Sequence, residues 1–307
     1  MGLQHRFVSS EQLRQGELRN RDYRALLLPH TVALAASEAA EVRDFVARGG
    51  VVIADGEPGQ FDEHGRRLPR PALADVFAGP AVHSAASFAF GNGKAVYLAS
   101  ANGRDRQNTG RLSRILGAVG VQPPFPVLRP DGGPADDVEI RIFRNGELTI
   151  LSLQRDYAAP SHPDDDEIVV LALPRTFCVY DLRARRPLGN TDRLELALDA
   201  VEPTLLALSE KPIAPPSIDG PQRAHLGEIP EFQIRSNSPA AHGIIHLDMF
   251  DPDGSLVAHY SGNLLTAGAV KRHNLPLAFN DKIGVWKLRA TDLPSGGTAT
   301  AELQVDP

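Results

Sequence analysis

Two short apolar runs decide the reading of the chain's first third: RALLLP at Arg24–Pro29 and VVIA at Val51–Ala54. A continuous apolar run of this length predicts a strand buried on both faces, as in a parallel sheet covered by helices. Between the runs, Ala39, Val42 and Val46 recur at helical spacing, and Phe45 widens the apolar stripe. Ser37 is the candidate N-cap, with Glu38 placed to favour the positive end of the helix dipole. Gly49 and Gly50 stop the helix. After Ala54 the stretch Asp55–Pro71 is polar and rich in Gly and Pro, which predicts a long loop at the carboxyl end of the second strand.

Outward from this core, Ala81–Phe90 and Ala95–Ala99 read as a strand pair joined by Gly91-Asn92-Gly93. Leu112, Ile115, Leu116 and Val119 form the stripe of a closing helix. Strand–helix–strand alternation favours a mostly parallel sheet with helices on its faces. The chain reaches its first clear strand late, so the opening strand and helix of such a sheet are expected to be truncated or degenerate.

Gln122–Pro134 (QPPFPVLRPDGGP) reads as a linker, because proline ends helices and is excluded from central strands. The pattern then changes to short strands at Val138–Phe143, Leu148–Leu153, Ile168–Leu173, Phe177–Leu182, Leu194–Leu198 and Thr204–Leu208. A second Pro-rich linker, Lys211–Pro221, leads to a third module. There Ile245, Leu247 and Met249 alternate with His246, Asp248 and Phe250, and Trp286, Leu288 and Ala290 alternate with Lys287 and Arg289. Ala299, Ala301, Leu303 and Val305 repeat the pattern. Period-two alternation over several strands predicts a β-sandwich of immunoglobulin-like type, with Trp286 as a core anchor in preference to a sugar platform.

Composition narrows the function. The 307 residues suit two or three domains, and a net charge of −6 argues against a phosphate-tracking nucleic-acid surface. The basic run Arg183–Arg186 is short, flanked by Asp181 and Asp192, and reads as a solvated turn. No run approaches the ~20 apolar residues of a membrane span, and Met1–Glu11 lacks the apolar region of a secretory signal. The single Cys178 excludes an internal disulfide and a cysteine-based zinc site; it permits a cytoplasmic home without demanding one.

The motifs of the chain point away from a metal or cofactor. Gly91-Asn92-Gly93 has Val96 where a dinucleotide fingerprint needs its third glycine, so a hairpin turn is expected. Asp251-Pro252-Asp253-Gly254 starts like a calcium loop, but its twelfth position is Gly262 instead of a carboxylate, so a β-turn is expected. The acidic run Asp164, Asp165, Asp166 and Glu167 beside His162 reads as solvated. His242 and His246 share one face of a strand but lack a third ligand. The most suggestive polar cluster is the candidate binding loop Asp55, Glu57, Asp62, Glu63 and His64. It follows a buried strand at its carboxyl end, where open α/β sheets place ligands.

Tyr23–Gly59, through the helix to Arg-Gly-Gly-Val-Val-Ile-Ala-Asp, resembles a known domain, as does Gly93–Ala99. Both are similar to the glutamine-amidotransferase-like trimerisation domain of glycoside hydrolase family forty-two β-galactosidases. Leu148–Asp156, Val179–Leu182 and Leu188-Gly189 resemble the small β-domain that closes such glycosidases, and the last module resembles immunoglobulin-like or macroglobulin-like bacterial domains. The resemblance implies a truncated flavodoxin-like, class I amidotransferase-like α/β domain over residues 1–127. Two small antiparallel β-sandwich domains follow at residues 135–210 and 213–307.

Two departures shape the functional expectation. An amidotransferase needs a nucleophilic cysteine after the strand that here ends at Ala54, and this chain has Asp55 and Gly56. Nothing has the length or repetition of the barrel on which glycosidases carry their two carboxylates. The chain is therefore expected to be a non-catalytic assembly or accessory region. The resemblance implies a homo-oligomer, a trimer, or association with a catalytic barrel. A carbohydrate- or surface-binding protein is the alternative, and a divergent hydrolase using the loop after Ala54 is the third reading.

Overall fold

The computed structural model describes residues 2–78, 86–98, 106–155, 166–266 and 270–307, with side chains unspecified at 106–109. The chain is largely β and forms two compact units, Leu3–Pro123 and Pro124–Pro307. None of its described helices is long and apolar enough to cross a membrane.

The first unit opens with two short helices, α1 (Ser10–Arg14) and α2 (Glu17–Asn20), followed by β1 (Ala25–Leu28), α3 (Ala36–Ala47) and β2 (Val51–Ala54). A hairpin of β3 (Ser87–Phe90) and β4 (Gly93–Tyr97) and the helix α4 (Arg106–Ala118) complete it. The sheet order is β1-β2-β4-β3, with β1, β2 and β4 parallel and β3 antiparallel at the edge. All four residues of β2 are buried, as the VVIA run requires. Burying each of its two valines and its isoleucine stabilises the fold by about 1.5–3 kcal/mol. On one face Val52 and Ala54 pack with Leu13, Leu18, Ala39, Val42, Phe45 and Val46. On the other, Val51, Ile53 and Val96 meet Leu116, with Leu112, Ile115 and Val119 alongside.

Three expectations about this unit change. β1 is an edge strand, and Leu27 is 45% exposed, because nothing pairs with its outer side among the described residues. The N-cap of α3 is Ala35, not Ser37; Glu38 reaches back so that its Oε2 accepts the Ala35 N–H at 3.0 Å. That bond is the glutamate half of a capping box and satisfies the N–H of the N-cap residue itself. The residues before β1 supply α1 and α2, whose Leu13 and Leu18 enter the core. Residues 81–85 and Ala99 of the expected strand pair lie outside the described residues.

In the second unit, β5 (Val127–Leu128), β6 (Val138–Asn145), β7 (Leu148–Arg155), β8 (Glu167–Asp181), β9 (Arg186–Leu198) and β10 (Thr204–Ser209) make one six-stranded sheet. It is not a two-sheet sandwich: all six strands contribute to a single core, so the sheet curls on itself. Ile168–Leu173 and Phe177–Leu182, expected as separate strands, are one strand. Pro174, which lacks a donor, falls inside the register shift between Ala172 and Phe177, so the ladder with β9 resumes beyond it. The first expected linker is also structured, since Phe125 and Val127 are buried and β5 forms an edge strand on β8.

The remaining strands are β11 (Ser217–Asp219), β12 (Arg223–His225), β13 (Glu231–Arg235), β14 (Gly243–Phe250), β15 (Gly262–Thr266), β16 (Val270–Asn274), β17 (Gly284–Asp292) and β18 (Thr298–Asp306). They form a sandwich of a three-stranded sheet, β11-β13-β16, and a five-stranded sheet, β12-β18-β17-β14-β15. Ile245, Leu247, Met249, Trp286, Leu288 and Ala290 point inward as their alternation predicts, and Trp286 is 2% exposed. Its indole N–H donates to the Lys282 carbonyl at 2.8 Å, which satisfies the one polar atom of the ring. The second expected linker contains β11, and the Ile213 side chain is buried against Tyr180.

The curled sheet and the sandwich touch main chain to main chain at two turns. At the β6–β7 turn, Glu147 N–H donates to the Pro239 carbonyl, and the Asn145 side-chain amide donates to the His242 carbonyl at 2.9 Å and accepts the His242 N–H at 3.0 Å. At the β8–β9 turn, the Arg185 carbonyl oxygen lies so close to Gly296 that a Cβ there would meet it at 1.9 Å. Gly296 also has φ +71°, which L side chains rarely adopt. Gly296→Val is expected to lower stability by about 3 kcal/mol, combining backbone strain with displacement of the Arg185 turn. Urea unfolding with intrinsic Trp286 fluorescence measures this; a loss below about 1 kcal/mol contradicts the close packing of the two turns.

Candidate functional site

The parallel strands β1 and β2 end side by side, and the polar cluster singled out in the sequence begins there. Asp55, directly after β2, turns its carboxylate toward the exit of β1, where its Oδ1 accepts the His30 N–H at 2.8 Å. His30 holds φ +44°, an uncommon conformation for a residue with a side chain. Its imidazole Nε2 lies 3.7 Å from Asp55 Oδ2 and its side chain is 87% exposed. This His30–Asp55 pair was missed in the sequence. The available signal was positional, since His30 directly follows the RALLLP run as Asp55 directly follows VVIA.

The loop beyond is clipped to the β1–α3 connection. Gly59 N–H donates to the Thr31 carbonyl, Phe61 N–H to Val32, and Leu34 N–H to Phe61. Asp62 closes the following turn on itself: its Oδ1 accepts the N–H groups of Arg66 at 2.8 Å and His64 at 2.9 Å. Those main-chain donors, Arg66 first, hold the Asp62 carboxyl below the usual carboxylate range. Asp62 and His64 are thus brought together through the His64 main chain, not through its ring. Glu63 and His64 are exposed. Glu57 lies near the buried Tyr97, whose phenol is pushed up to about 12 by burial and then by the Glu57 charge. The set therefore separates: Asp55 serves β1, Asp62 serves its own turn, and Glu57 faces Tyr97.

The other motifs resolve locally. Gly91 and Asn92 form the hairpin turn between β3 and β4. In Asp251-Pro252-Asp253-Gly254 the Gly254 N–H donates to the Asp251 carbonyl, closing a β-turn. The ammonium of Lys282 sits between Asp251 Oδ2 at 2.5 Å and Asp253 Oδ2 at 2.6 Å, and those hydrogen bonds, Asp251 first, raise the lysine to about 12. His242 precedes β14 and does not share a strand face with His246. The His246 ring instead lies between Asn263 Oδ1 (2.7 Å) and Asp248 Oδ1 (3.2 Å). Arg183 pairs with Glu202, while Asp181 Oδ1 accepts the Arg183 and Ala184 N–H groups of the expected turn. In the expected acidic run, Glu167 belongs to β8 and pairs with Arg129 and Arg155, so it is not solvated. His162, Asp164 and Asp165 lie outside the described residues, as does Asp156. Among the described residues no three His, Cys, Asp or Glu side chains converge as metal ligands.

No family model matches the chain, and no curated protein matches it. Solved structures are similar to it at low identity. A catalytic mutant of Gan42B, a GH42 β-galactosidase from G. stearothermophilus, is 15% identical with a TM-score of 0.44, covering 61% of this chain and 32% of that one. The β-galactosidase from Bacillus circulans sp. alkalophilus is 15% identical with a TM-score of 0.44, covering 61% and 33%. The β-galactosidase from Rahnella sp. R3 is 16% identical with a TM-score of 0.42, covering 60% and 32%. The chain spans about a third of the length of these structures.

The Asp55–His30 bond has a measurable structural role. Asp55→Ala is expected to cost about 1 kcal/mol by removing the acceptor of the His30 N–H. His30→Gly keeps that acceptor and relieves the positive φ, so it is expected to stabilise by up to about 1 kcal/mol. Denaturant titration of the two variants checks the pair of opposite signs.

Proposed function

We propose that this chain is a non-catalytic accessory or assembly region of a β-galactosidase-related protein, its α/β unit supplying subunit contacts. The observation that carries the reading is the commitment of Asp55. It stands where the resembling amidotransferase-like fold would present its nucleophile, and its carboxylate is bonded to the main chain of the neighbouring strand. The carboxylates that follow support the same reading. Asp62 is turned into its own loop, and the Glu63 and His64 side chains are exposed to solvent, where they have little leverage on a substrate.

One observation favours a second reading, binding of a carbohydrate through the sandwich. Phe279 is 84% exposed, a ring open to stacking, while Trp286 is buried and out of reach of a sugar. Isothermal titration against plant and bacterial polysaccharides, compared with Phe279→Ala, measures it; absence of binding heat removes this reading.

Two measurements test the leading proposal. Light scattering of the purified chain at high concentration is expected to give an oligomer, a trimer by the resemblance; a strict monomer speaks against self-assembly through the α/β unit. Aryl-β-galactoside and glutamine hydrolysis are expected to stay at background for the wild type and for the Glu63→Ala, His64→Ala double variant. Turnover that vanishes in the double variant overturns the non-catalytic reading.

A further inference from the structure

The turn joining β17 to β18 holds a carboxylate in an unusual position. Asp292 is 1% exposed. Its Oδ2 accepts two bonds from Ser295, the N–H at 3.0 Å and the hydroxyl at 2.6 Å, whereas its Oδ1 is buried without a hydrogen-bond partner. Among the described residues no Lys, Arg or His forms an ion pair with it.

This turn is also where the sandwich meets the curled sheet. Gly296 abuts the Arg185 carbonyl of the β8–β9 turn, and Gly297 abuts Pro215, with 3.2 Å between that proline's Cα and a Cβ built on the glycine. Pro215 belongs to the same short segment as Ile213, whose N–H donates to the Tyr180 hydroxyl on β8 at 2.8 Å. Among the described residues, the groups placed around Asp292 come from four elements. From β8 comes the phenol of Tyr180, with the Cys178 thiol beside it. From the β8–β9 turn Arg185 offers a main-chain oxygen to the neighbouring Gly296. From β14 come Ile245, which pairs with Asp292, and the Ile244 carbonyl, bonded to Leu293. From its own turn comes Ser295. Of the side chains among them, those of Tyr180, Cys178, Ile245 and Ser295, none is a carboxylate, an ammonium, a guanidinium or an imidazole.

We infer that Asp292 is a protonation-controlled latch that docks the sandwich on the curled sheet more tightly as the pH falls. When ionised, the group leaves a negative charge in a dry site with one oxygen unsatisfied, a cost relieved only when the turn opens to water. A proton taken from solvent goes to Oδ1, since Oδ2 is already occupied by its two donors, and removes the charge. Burial raises the carboxyl above its ordinary value, ahead of the opposing Ser295 bonds. The sign follows: the stabilisation is fully present below the ordinary carboxylate value and is lost as pH rises through the raised one.

Hydrogen exchange of the intact chain reads the latch. The segment Glu210–Ser217 contains three prolines, so few amides report there, and Ile213 N–H is the one bonded across to Tyr180. As the pH is lowered from neutral toward the ordinary carboxylate range, its protection, corrected for intrinsic exchange, is expected to rise roughly three- to tenfold in the wild type. Asp292→Asn, which cannot titrate, is expected to show no such rise. An equal response in wild type and Asp292→Asn, or no response in the wild type, overturns the proposal. Should Asp292→Asn fail to fold, Ser295→Ala decides. Losing the hydroxyl donor that favours the charged form, with the main-chain N–H kept, must move the midpoint to higher pH, and an unmoved midpoint overturns the proposal equally.

Discussion

At Gly93 a Cβ would stand 2.2 Å from the carbonyl oxygens of Gly50 and of Val46, so β4 can enter the sheet only because it lacks one. The α/β unit is organised around that contact. Helix α3 ends at the carbonyls of Val46 and Ala47, β2 starts directly after Gly50, and the β3–β4 hairpin folds back on both. Any side chain there would push the helix from the sheet and open the core between Phe45, Val46 and Val52. The same device recurs in the β unit, where Gly296 meets the Arg185 carbonyl, and Gly146 the main chain of Pro239–Ala241. Main-chain contact of this kind is unforgiving, because neither partner has a rotamer through which to yield.

That constraint changes how the β modules are understood. A sandwich tethered by a Pro-rich linker would be free to reorient, as linked domains commonly are. Here the linker itself is built in: Ile213 is buried and bonded to Tyr180, Asn237 donates to the Pro215 carbonyl, and Ser217–Asp219 form a strand of the sandwich. Curled sheet and sandwich thus form one body, and the buried carboxylate of Asp292 lies at one of its seams.

Electrostatics inside the fold is likewise mostly structural. Asp55, Asp62, Asp181 and Asp251 each accept main-chain N–H groups, and Glu38 does so at the start of α3. A carboxylate spent on main-chain donors is held in place by them, which suits a turn and turns it away from a substrate. Lys282 between Asp251 and Asp253 gives that turn its own tethered cation.

Much of the fold is legible in local periodicity. VVIA is a buried strand, the Ala39–Val46 stripe is a helix facing the core, and the alternation through Ile245–Met249 and Trp286–Ala290 points into a sandwich. In each case the side-chain repeat reports directly which face meets the core. What periodicity cannot carry is any choice made between residues distant in the chain. The exposure of Leu27 depended on sheet order, and the fusion of two expected strands into β8 depended on β9 resuming its ladder past Pro174. The seat of Lys282, the pairing of His30 with Asp55 and the unpartnered oxygen of Asp292 were likewise decided by tertiary approach. Hydrogen-bond partners and close main-chain contacts are fixed by where the whole chain brings its parts, and no repeat of two or 3.6 residues records that.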